Sequence, residues 1–309
     1  GDDIYKKNFV KEKTLSFHPK KYQELLNENK KLITKFPNDY LLHDRLARNY
    51  VAGGYTNKAK FHFSESLKLQ RKIKCSKGKS GIIILISMPR SGTGFISRSI
   101  QNGLNLRSVK IPNLDSWYPH YSVIDVPDFV RYWYFTEMPD GFWQGHTSAF
   151  KSTLSNLSLI TDKIIVSFRD LRQQLISFAY FMEYLRLTGD HTGLIKYQIP
   201  DGYFIWSFEK QLDWQIENYC VPVNINWLKG WLKADQDLEF PCEILFCQYE
   251  MLAKNPKQYF KNIMSFYGIS EEKFKYPLPP KFKEGTHMRK GEADEWKKVL
   301  KPEQIQKIN

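Results

Sequence analysis

The sequence has few cysteines and no long hydrophobic run. Its four cysteines show neither a CxxC pair nor the histidine spacing of a zinc site, so no metal is expected. Four thiols in 309 residues are also too few for a disulfide scaffold, and we expect reduced thiols in a cytoplasmic protein. The longest aliphatic run, 82–86, has five residues, whereas a membrane helix needs about 20. No membrane span is therefore predicted.

Acidic side chains are the minority among the charged residues. The chain has 33 Asp and Glu against 46 Lys and Arg, a formal net charge of +13. Such an excess predicts an anionic partner, which charge alone leaves open between nucleic acid, a membrane surface and a phosphorylated small molecule. With 42% hydrophobic and 15% aromatic residues, the chain is too apolar for wholesale disorder and long enough to bury a core.

Residues 1–78 are rich in lysine and are predicted to form a helical appendage. Apolar side chains at helical spacing run from Tyr22 to Ile33, and Asp39 is placed to cap the next helix. The order of large and small residues over 46–66 resembles a tetratricopeptide-type helix pair, although any amphipathic helical hairpin fits equally well. Because one pair cannot bury its own face, we expect it either to pack on the rest of the chain or to be the last pair of a longer repeat array. A protein partner could bind through these helices.

Residues 79–309 alternate between strand and helix patterns. Three β-branched runs indicate strands buried on both faces, and a helical pattern follows each of them. The pairs are 82–86 with 93–102, 163–168 with 171–187, and 243–247 with 256–267. This alternation predicts an α/β domain with a parallel sheet and right-handed crossovers. The aromatic-rich stretches 117–143 and 189–206 are predicted to be irregular.

Residues 87–95, Ser-Met-Pro-Arg-Ser-Gly-Thr-Gly-Phe, connect the first strand to its helix. A loop there aims several backbone N–H groups and a helix N-terminus at one anion. Ser91 and Thr93 add hydroxyl donors, and Arg90 adds a positive charge. The motif is not a Walker A loop, because the lysine and the magnesium-binding hydroxyl are missing from their places. It predicts a phosphate site, with an ordinary tight turn as the alternative.

Two further basic segments follow along the chain. Arg169 comes after the second strand, where open α/β sheets bind ligands, and Ser177 lies about two helical turns further on. Both side chains can bind one phosphate. Arg289 and Lys290 precede Gly291 and form a basic loop near the C-terminus. Taken singly, each segment has a commoner interpretation: Arg169 as a solvated arginine at a helix start, and the segment of Arg289 and Lys290 as a solvated basic surface loop.

Together, and in this order, these segments resemble the PAPS-dependent sulfotransferase family over about residues 80–300. The resemblance implies a P-loop-type parallel sheet flanked by helices and the donor 3′-phosphoadenosine 5′-phosphosulfate (PAPS), which leaves as PAP. A transferring sulfuryl group carries less negative charge than a phosphoryl group, so protein cations and N–H groups can stabilise it without a metal. The positive net charge then favours an anionic nucleotide over nucleic acid.

The resemblance also assigns a role to each motif. The loop for the 5′-phosphosulfate comprises Arg90, Ser91, Gly92, Thr93, Gly94 and Phe95. The site for the 3′-phosphate comprises Arg169, Ser177, Arg289, Lys290 and Gly291. Tyr249 resembles the tyrosine that packs near the adenine, and Arg90 is expected to stabilise the transferring group.

An acceptor hydroxyl that attacks sulfur must lose a proton, and a base with a pKa of about 7 is suited to accept it. His146 is the predicted base, because it precedes Arg169 by nearly the distance at which the soluble branch of the family places its catalytic histidine. A carbohydrate-type site would use a carboxylate instead, and Asp115 and Asp125 are the candidates. The acceptor, a small molecule, a carbohydrate or a peptide, is expected among the aromatic residues of 117–143 and 189–206.

Two other classes of function remain open from the sequence. A nucleotide kinase or NTPase would need magnesium and ATP, and the missing Walker lysine is evidence against it. A non-catalytic protein would bind a polyanion such as RNA in a salt-sensitive manner and would recruit a partner through the helical appendage.

Overall fold

The computed structural model describes residues 19–76, 82–109, 113–114, 123–124, 141–190, 194–195, 197–278 and 289–309. The chain divides into two compact units, Gly1–Lys77 and Gly78–Asn309. Within the described ranges, no helix combines the length and the apolar character needed to cross a bilayer.

The described part of the first unit, residues 19–76, contains three helices: α1 (Pro19–Lys35), α2 (Tyr40–Ala52) and α3 (Thr56–Ser76). Asp39 caps α2 as predicted, because its carboxylate accepts hydrogen bonds from the N–H groups of Leu41 (2.9 Å) and Leu42 (3.3 Å). The core of this unit contains Leu26, Leu46, Tyr50 and Ala59. The helical prediction is confirmed, whereas the tetratricopeptide-type assignment stays a prediction.

The second unit alternates strands with helices. Its strands are β1 (Ile82–Ser87), β2 (Asn113–Leu114), β3 (Val123–Ile124), β4 (Gly141–Gly145), β5 (Lys163–Phe168) and β6 (Glu243–Gln248). Its α-helices are α4 (Thr93–Leu104), α5 (Lys151–Ile160), α6 (Leu171–Thr188), α7 (Phe208–Gln215), α8 (Asn226–Gln236), α9 (Tyr249–Lys254), α10 (Pro256–Phe266), α11 (Trp296–Val299) and α12 (Pro302–Ile308). A π-helix (Ile216–Ile225) joins α7 to α8, and two short 3-10 helices are Tyr203–Ile205 and Glu271–Lys273.

The main sheet has four parallel strands in the order β4-β1-β5-β6. All six residues of β1 are buried, because helices cover both faces of a parallel sheet. The prediction of a parallel α/β sheet is confirmed, and β1, β5 and β6 are the three predicted strands. The prediction of irregular structure is wrong for 123–124 in β3, for the 3-10 helix at 203–205, and for 141–143, which belong to β4. That strand has no β-branched residue and forms by pairing with β1, from Gly141 beside Ile82 to Gly145 beside Ile86.

Tyr267 links two neighbouring strands at the amino end of the sheet. Its hydroxyl accepts a hydrogen bond from the N–H of Ile84 (3.2 Å) and donates one to the carbonyl of Lys163 (3.1 Å). A side chain thus completes the hydrogen bonding between β1 and β5, because buried backbone groups without a partner are costly.

Candidate active site

Each strand of the main sheet is followed directly by a predicted site residue or loop. The phosphate loop (88–92) follows β1, His146 follows β4, Arg169 follows β5 and Tyr249 follows β6. Because the strands are parallel, their carboxyl ends lie at one edge of the sheet. The topology therefore brings four segments that are distant in sequence to the same edge.

Hydroxyl groups hold the phosphate loop in place. Ser91 is fully buried, and its hydroxyl donates to the carbonyl of Met88 at 2.6 Å. The hydroxyls of Ser87 and Thr93 lie 2.9 Å apart on either side of the turn. The side chain of Ser91 therefore shapes the loop from within, while Thr93 lies at its surface.

The turn itself uses left-handed backbone conformations. Arg90 has a φ of 67° and Gly92 has a φ of 81°. Residues other than glycine rarely adopt this left-handed backbone conformation. A Cβ atom on Gly92 would also lie 2.9 Å from two ring carbons of Tyr249. The turn leads directly into α4, which no side chain caps at its N-terminus, and the carbonyl of Gly92 accepts from the N–H groups of Phe95 and Ile96.

Tyr249 contacts three of the predicted motifs at once. Its ring packs against Gly92, and the guanidinium of Arg169 lies over that ring at 4.1 Å from the centroid. Its hydroxyl donates to the carbonyl of Gly291 at 3.3 Å. Tyr249 therefore joins the phosphate loop, the end of β5 and the basic loop near the C-terminus.

Arg90 and Arg169 lie together in the site. Nε of Arg90 donates to the hydroxyl of Ser177 at 3.3 Å, and its guanidinium stacks on Phe181 at 4.6 Å. Arg169 donates from Nη1 to the carbonyl of Arg90 (3.2 Å) and from Nη2 to the carbonyl of Glu292 (2.6 Å). The two arginines and Ser177 thus form one hydrogen-bonded group.

The environment of these arginines favours an anion. Burial lowers the pKa of Arg90 to about 10, and the charge of Arg169 adds to that effect. Burial likewise lowers the pKa of Arg169. An anion placed between the two guanidinium groups would stabilise their charged forms.

The basic loop, 289–295, is anchored by a buried carboxylate. Arg289 makes two hydrogen bonds to Glu295, one of them at 2.8 Å from Nη1 to Oε1, and Nζ of Lys290 lies 3.4 Å from the same oxygen. The guanidinium of Arg289 also lies 4.0 Å from the ring centroid of Tyr180. Burial raises the pKa of Glu295, but the hydrogen bonds and charge of Arg289 outweigh burial and leave that pKa below its ordinary value.

His146 is fixed through one ring nitrogen. Its Nδ1 lies 2.6 Å from the carbonyl oxygen of Ser87, an acceptor, so Nδ1 carries the proton and Nε2 holds the lone pair of the neutral ring. The backbone of the next residue, Thr147, is also fixed, because the indole N–H groups of Trp227 (2.7 Å) and Trp231 (3.1 Å) both donate to its carbonyl. The exposed imidazole therefore has a defined orientation.

A cavity of about 620 Å³ joins these groups. The predicted site residues that line it are Arg90, Gly92, Thr93, Gly94, Phe95, His146, Arg169, Ser177, Tyr249, Arg289, Lys290 and Gly291. Phe95 also packs against the core beneath α4. Asp115 and Asp125, the alternative bases, lie outside the described residues. In the part of the chain that the structure describes, no three His, Cys, Asp or Glu side chains come together as metal ligands would.

Sequence reasoning missed an aromatic wall of this cavity. Tyr180, Phe181 and Tyr184 line the cavity from α6, and Ser177 precedes them at helical spacing on the same face. That spacing was a usable signal. The contact between Gln173 and Glu295 gave no such signal, because the two residues lie 122 positions apart.

A phosphate loop, clustered arginines and the carboxyl edge of a parallel sheet define an α/β protein with an anion-binding active-site cleft. The family model of the sulfotransferase domain matches residues 81–309. The chain therefore belongs to the sulfotransferase domain family, and the prediction of a sulfotransferase is confirmed.

The solved structures similar to this chain include three whose alignments each cover 74% of it. A mouse sulfotransferase, SULT7A1, complexed with PAP shares 15% identity over 81% of its own length, with a TM-score of 0.48. Retinol dehydratase in a complex with retinol and PAP shares 14% sequence identity over 79% of its own length, with a TM-score of 0.43. The sulfotransferase domain from the curacin biosynthetic pathway shares 16% sequence identity over 95% of its own length, with a TM-score of 0.42. No curated protein matches the sequence.

Proposed function

We propose that this protein transfers the sulfuryl group of PAPS to an acceptor hydroxyl by in-line displacement, within a transferase domain that spans residues 79–309. The observation that carries the proposal is the convergence of Arg90, Arg169, Arg289 and Lys290 with the phosphate loop on one cavity. PAPS supplies the activated sulfuryl group and carries negative charge at both its 5′ and its 3′ end. A site for it needs cations in two places and a shared adenosine pocket.

The phosphate loop and the start of α4 fit the 5′ end. The first N–H groups of α4 point along the helix axis without a capping side chain, which is the usual arrangement of an anion site. Arg90 lies beside them and is the cation proposed to stabilise charge on the transferring group. Gly94 leaves open space above this turn, because a Cβ there would meet no atom within 4 Å.

Arg169 and the basic loop fit the 3′-phosphate. Nε of Arg169 is buried and has no hydrogen-bond partner among the residues that the structure describes. A buried donor of this kind is costly unless a ligand satisfies it. Ser177 accepts from Arg90 and can donate its own proton to a phosphate oxygen. Arg289 and Lys290 line the same cavity and add positive charge to it.

His146 is proposed as the general base. Because Nδ1 donates to the carbonyl of Ser87, Nε2 is the nitrogen that can accept the proton of the acceptor hydroxyl. The aromatic residues Phe181, Tyr184 and Tyr197 line the cavity and supply flat apolar surface for the acceptor. A small molecule, a carbohydrate or a peptide side chain that carries a hydroxyl fits this chemistry.

The proposed activity is tested by transfer of labelled sulfate. The purified chain is incubated with sulfur-labelled PAPS and a metabolite extract, and labelled products are identified by mass. Labelled product that depends on the enzyme supports the proposal. Magnesium-dependent binding of ATP would indicate a kinase instead, and salt-sensitive RNA binding with indifference to PAPS would indicate a polyanion-binding protein.

A further inference from the structure

Two consecutive glutamines lie in the first turn of α6 and are almost completely buried. Gln173 and Gln174 are each 1% exposed. A buried amide must use both its N–H donors and its carbonyl acceptor, or it destabilises the fold. Each glutamine bonds its carbonyl and an amide N–H, and in each case the N–H donates to a residue that lines the active-site cavity, Pro89 or Glu295.

Gln174 bonds to the phosphate loop. Its Nε2 donates to the carbonyl of Pro89 at 3.2 Å, and its Oε1 accepts from Nδ2 of Asn224 at 3.0 Å. Asn224 is also 1% exposed and lies in the π-helix that precedes α8. Pro89 directly precedes Arg90, whose backbone is left-handed. The amide therefore fixes the loop at the point where its backbone takes an unfavourable conformation.

Gln173 bonds to the basic loop. Its Oε1 accepts from the backbone N–H of Trp296 at 3.1 Å, and its Nε2 donates to Oε2 of Glu295 at 3.3 Å. Glu295 in turn holds both Arg289 and Lys290. Gln173 also lies at the cavity wall, but its carbonyl and an amide N–H are used in these two contacts, so the position of the two cations depends on it.

We propose that Gln173 and Gln174 are separate positioning residues for the two ends of the nucleotide site, Gln174 for the phosphate loop and Gln173 for the basic loop. Adjacent residues of a helix point about 100° apart, so one turn can address two segments. The inference rests on the proposed function, since it assigns the two loops to opposite ends of PAPS. It predicts that substitution of each glutamine affects a different part of the ligand.

Binding of PAP and of adenosine 5′-monophosphate separates the two roles, because the second compound lacks the 3′-phosphate. Methionine has a similar length and no amide, so Gln173→Met and Gln174→Met are the variants. For Gln173→Met we expect about tenfold weaker binding of PAP by calorimetry and unchanged binding of the monophosphate. For Gln174→Met we expect both compounds to weaken by a similar factor, and kcat with labelled PAPS to fall.

Gln215→Met is the matched control. Gln215 is equally buried, but its Nε2 donates to the hydroxyl of Tyr203 (2.6 Å), away from both loops. We expect this variant to lower Tm and to leave both affinities unchanged. If the two test variants behave like this control, or if Gln173→Met weakens both compounds equally, the inference is overturned.

Two further variants keep the test decisive if a methionine variant does not fold. Asn224→Leu leaves Gln174 in place but removes its donor, and weaker binding of both compounds is expected. Gln173→Glu keeps an acceptor for the N–H of Trp296 but places a second carboxylate beside that of Glu295, which it repels. We expect this variant to lose binding of PAP and to keep binding of the monophosphate. If the wild-type chain binds neither compound, the proposed function fails together with the inference. If the wild type binds PAP and the variants do not divide as described, only the inference fails.

Discussion

Gly92 and Gly94 lie two residues apart at the start of α4 but have different surroundings. Gly92 has a left-handed backbone and packs on Tyr249, whereas Gly94 faces open space. We expect Gly92→Ala to cost about 1–3 kcal/mol of stability and to weaken PAP binding, because alanine is strained there and its Cβ displaces the tyrosine. Gly94→Ala is the matched control, with unchanged or slightly raised Tm. Equal effects in chemical denaturation would contradict this account of the turn.

The orientation of His146 leads to a kinetic prediction. Removal of a general base typically lowers turnover about 10²-fold or more, while donor binding does not depend on it. We therefore expect His146→Ala to lose kcat by about that factor and to bind PAP with wild-type affinity. Steady-state kinetics and calorimetry on the same preparation check both statements. Full activity of the variant would assign the base to another residue.

Much of the site at the scale of single residues could be predicted from the sequence. Arg90, Arg169 and Ser177 lie beside strand ends or on the first helical turns after them, and strand ends can be recognised from β-branched runs. Gln173 could not be predicted, because its role depends on contacts with Glu295 and Trp296, 122 and 123 positions further along the chain. The pairing of Glu295 with Arg289 and Lys290 is local in the sequence, but an irregular loop has no fixed spacing that would indicate it.

At the scale of elements, the hydroxyl of Tyr267 stands in for a missing strand-to-strand bond. Tyr267→Phe leaves the N–H of Ile84 and the carbonyl of Lys163 without this partner, and we expect a loss of about 1–3 kcal/mol in the free energy of unfolding. Tyr276→Phe is the control, because that hydroxyl donates only to the carboxylate of Glu271 near the surface. Denaturant unfolding of the two variants compares them directly. A similar small loss in both would refute the role of Tyr267.

The basic loop depends on an ionised Glu295, which holds Arg289 and Lys290. Because the pKa of Glu295 lies below its ordinary value, its ion pair contributes fully above about pH 4.3 and is lost as the pH falls through the lower folded pKa. We expect Glu295→Gln to cost about 2 kcal/mol at pH 7 and progressively less toward pH 3. Glu183→Gln removes an exposed pair with Arg186 and should change stability little. A pH-independent gap for Glu295→Gln would contradict the ion-pair explanation.

Prediction of the elements succeeded where composition and burial coincide. β1, β5 and β6 are rich in β-branched or aromatic residues and could be predicted. β4 reads Gly-Phe-Trp-Gln-Gly and forms only because β1 offers a free edge for pairing. The π-helix was equally hidden, because Pro222 within it indicates a break rather than a wide helical turn.

At the scale of the whole molecule, nucleotide binding should stabilise the fold. A ligand that binds only the folded chain adds about 2.7 kcal/mol at 100 times its Kd. We expect PAP to raise Tm accordingly, and we expect sodium sulfate at the same ionic strength to have a much smaller effect. The salt control is needed because a net charge of +13 attracts any anion. Equal shifts with both compounds would indicate general charge screening instead of a nucleotide site.

The direct transition from each strand into a site residue makes the sheet intolerant of slippage. Side chains alternate between the two faces of a strand, so a single inserted residue within β5 would put Phe168 where Arg169 now lies and turn the guanidinium toward the opposite helix layer. The same reasoning applies to His146 at β4 and Tyr249 at β6. The length of each strand, counted from its first paired residue, thus determines where the site residue that follows it lies.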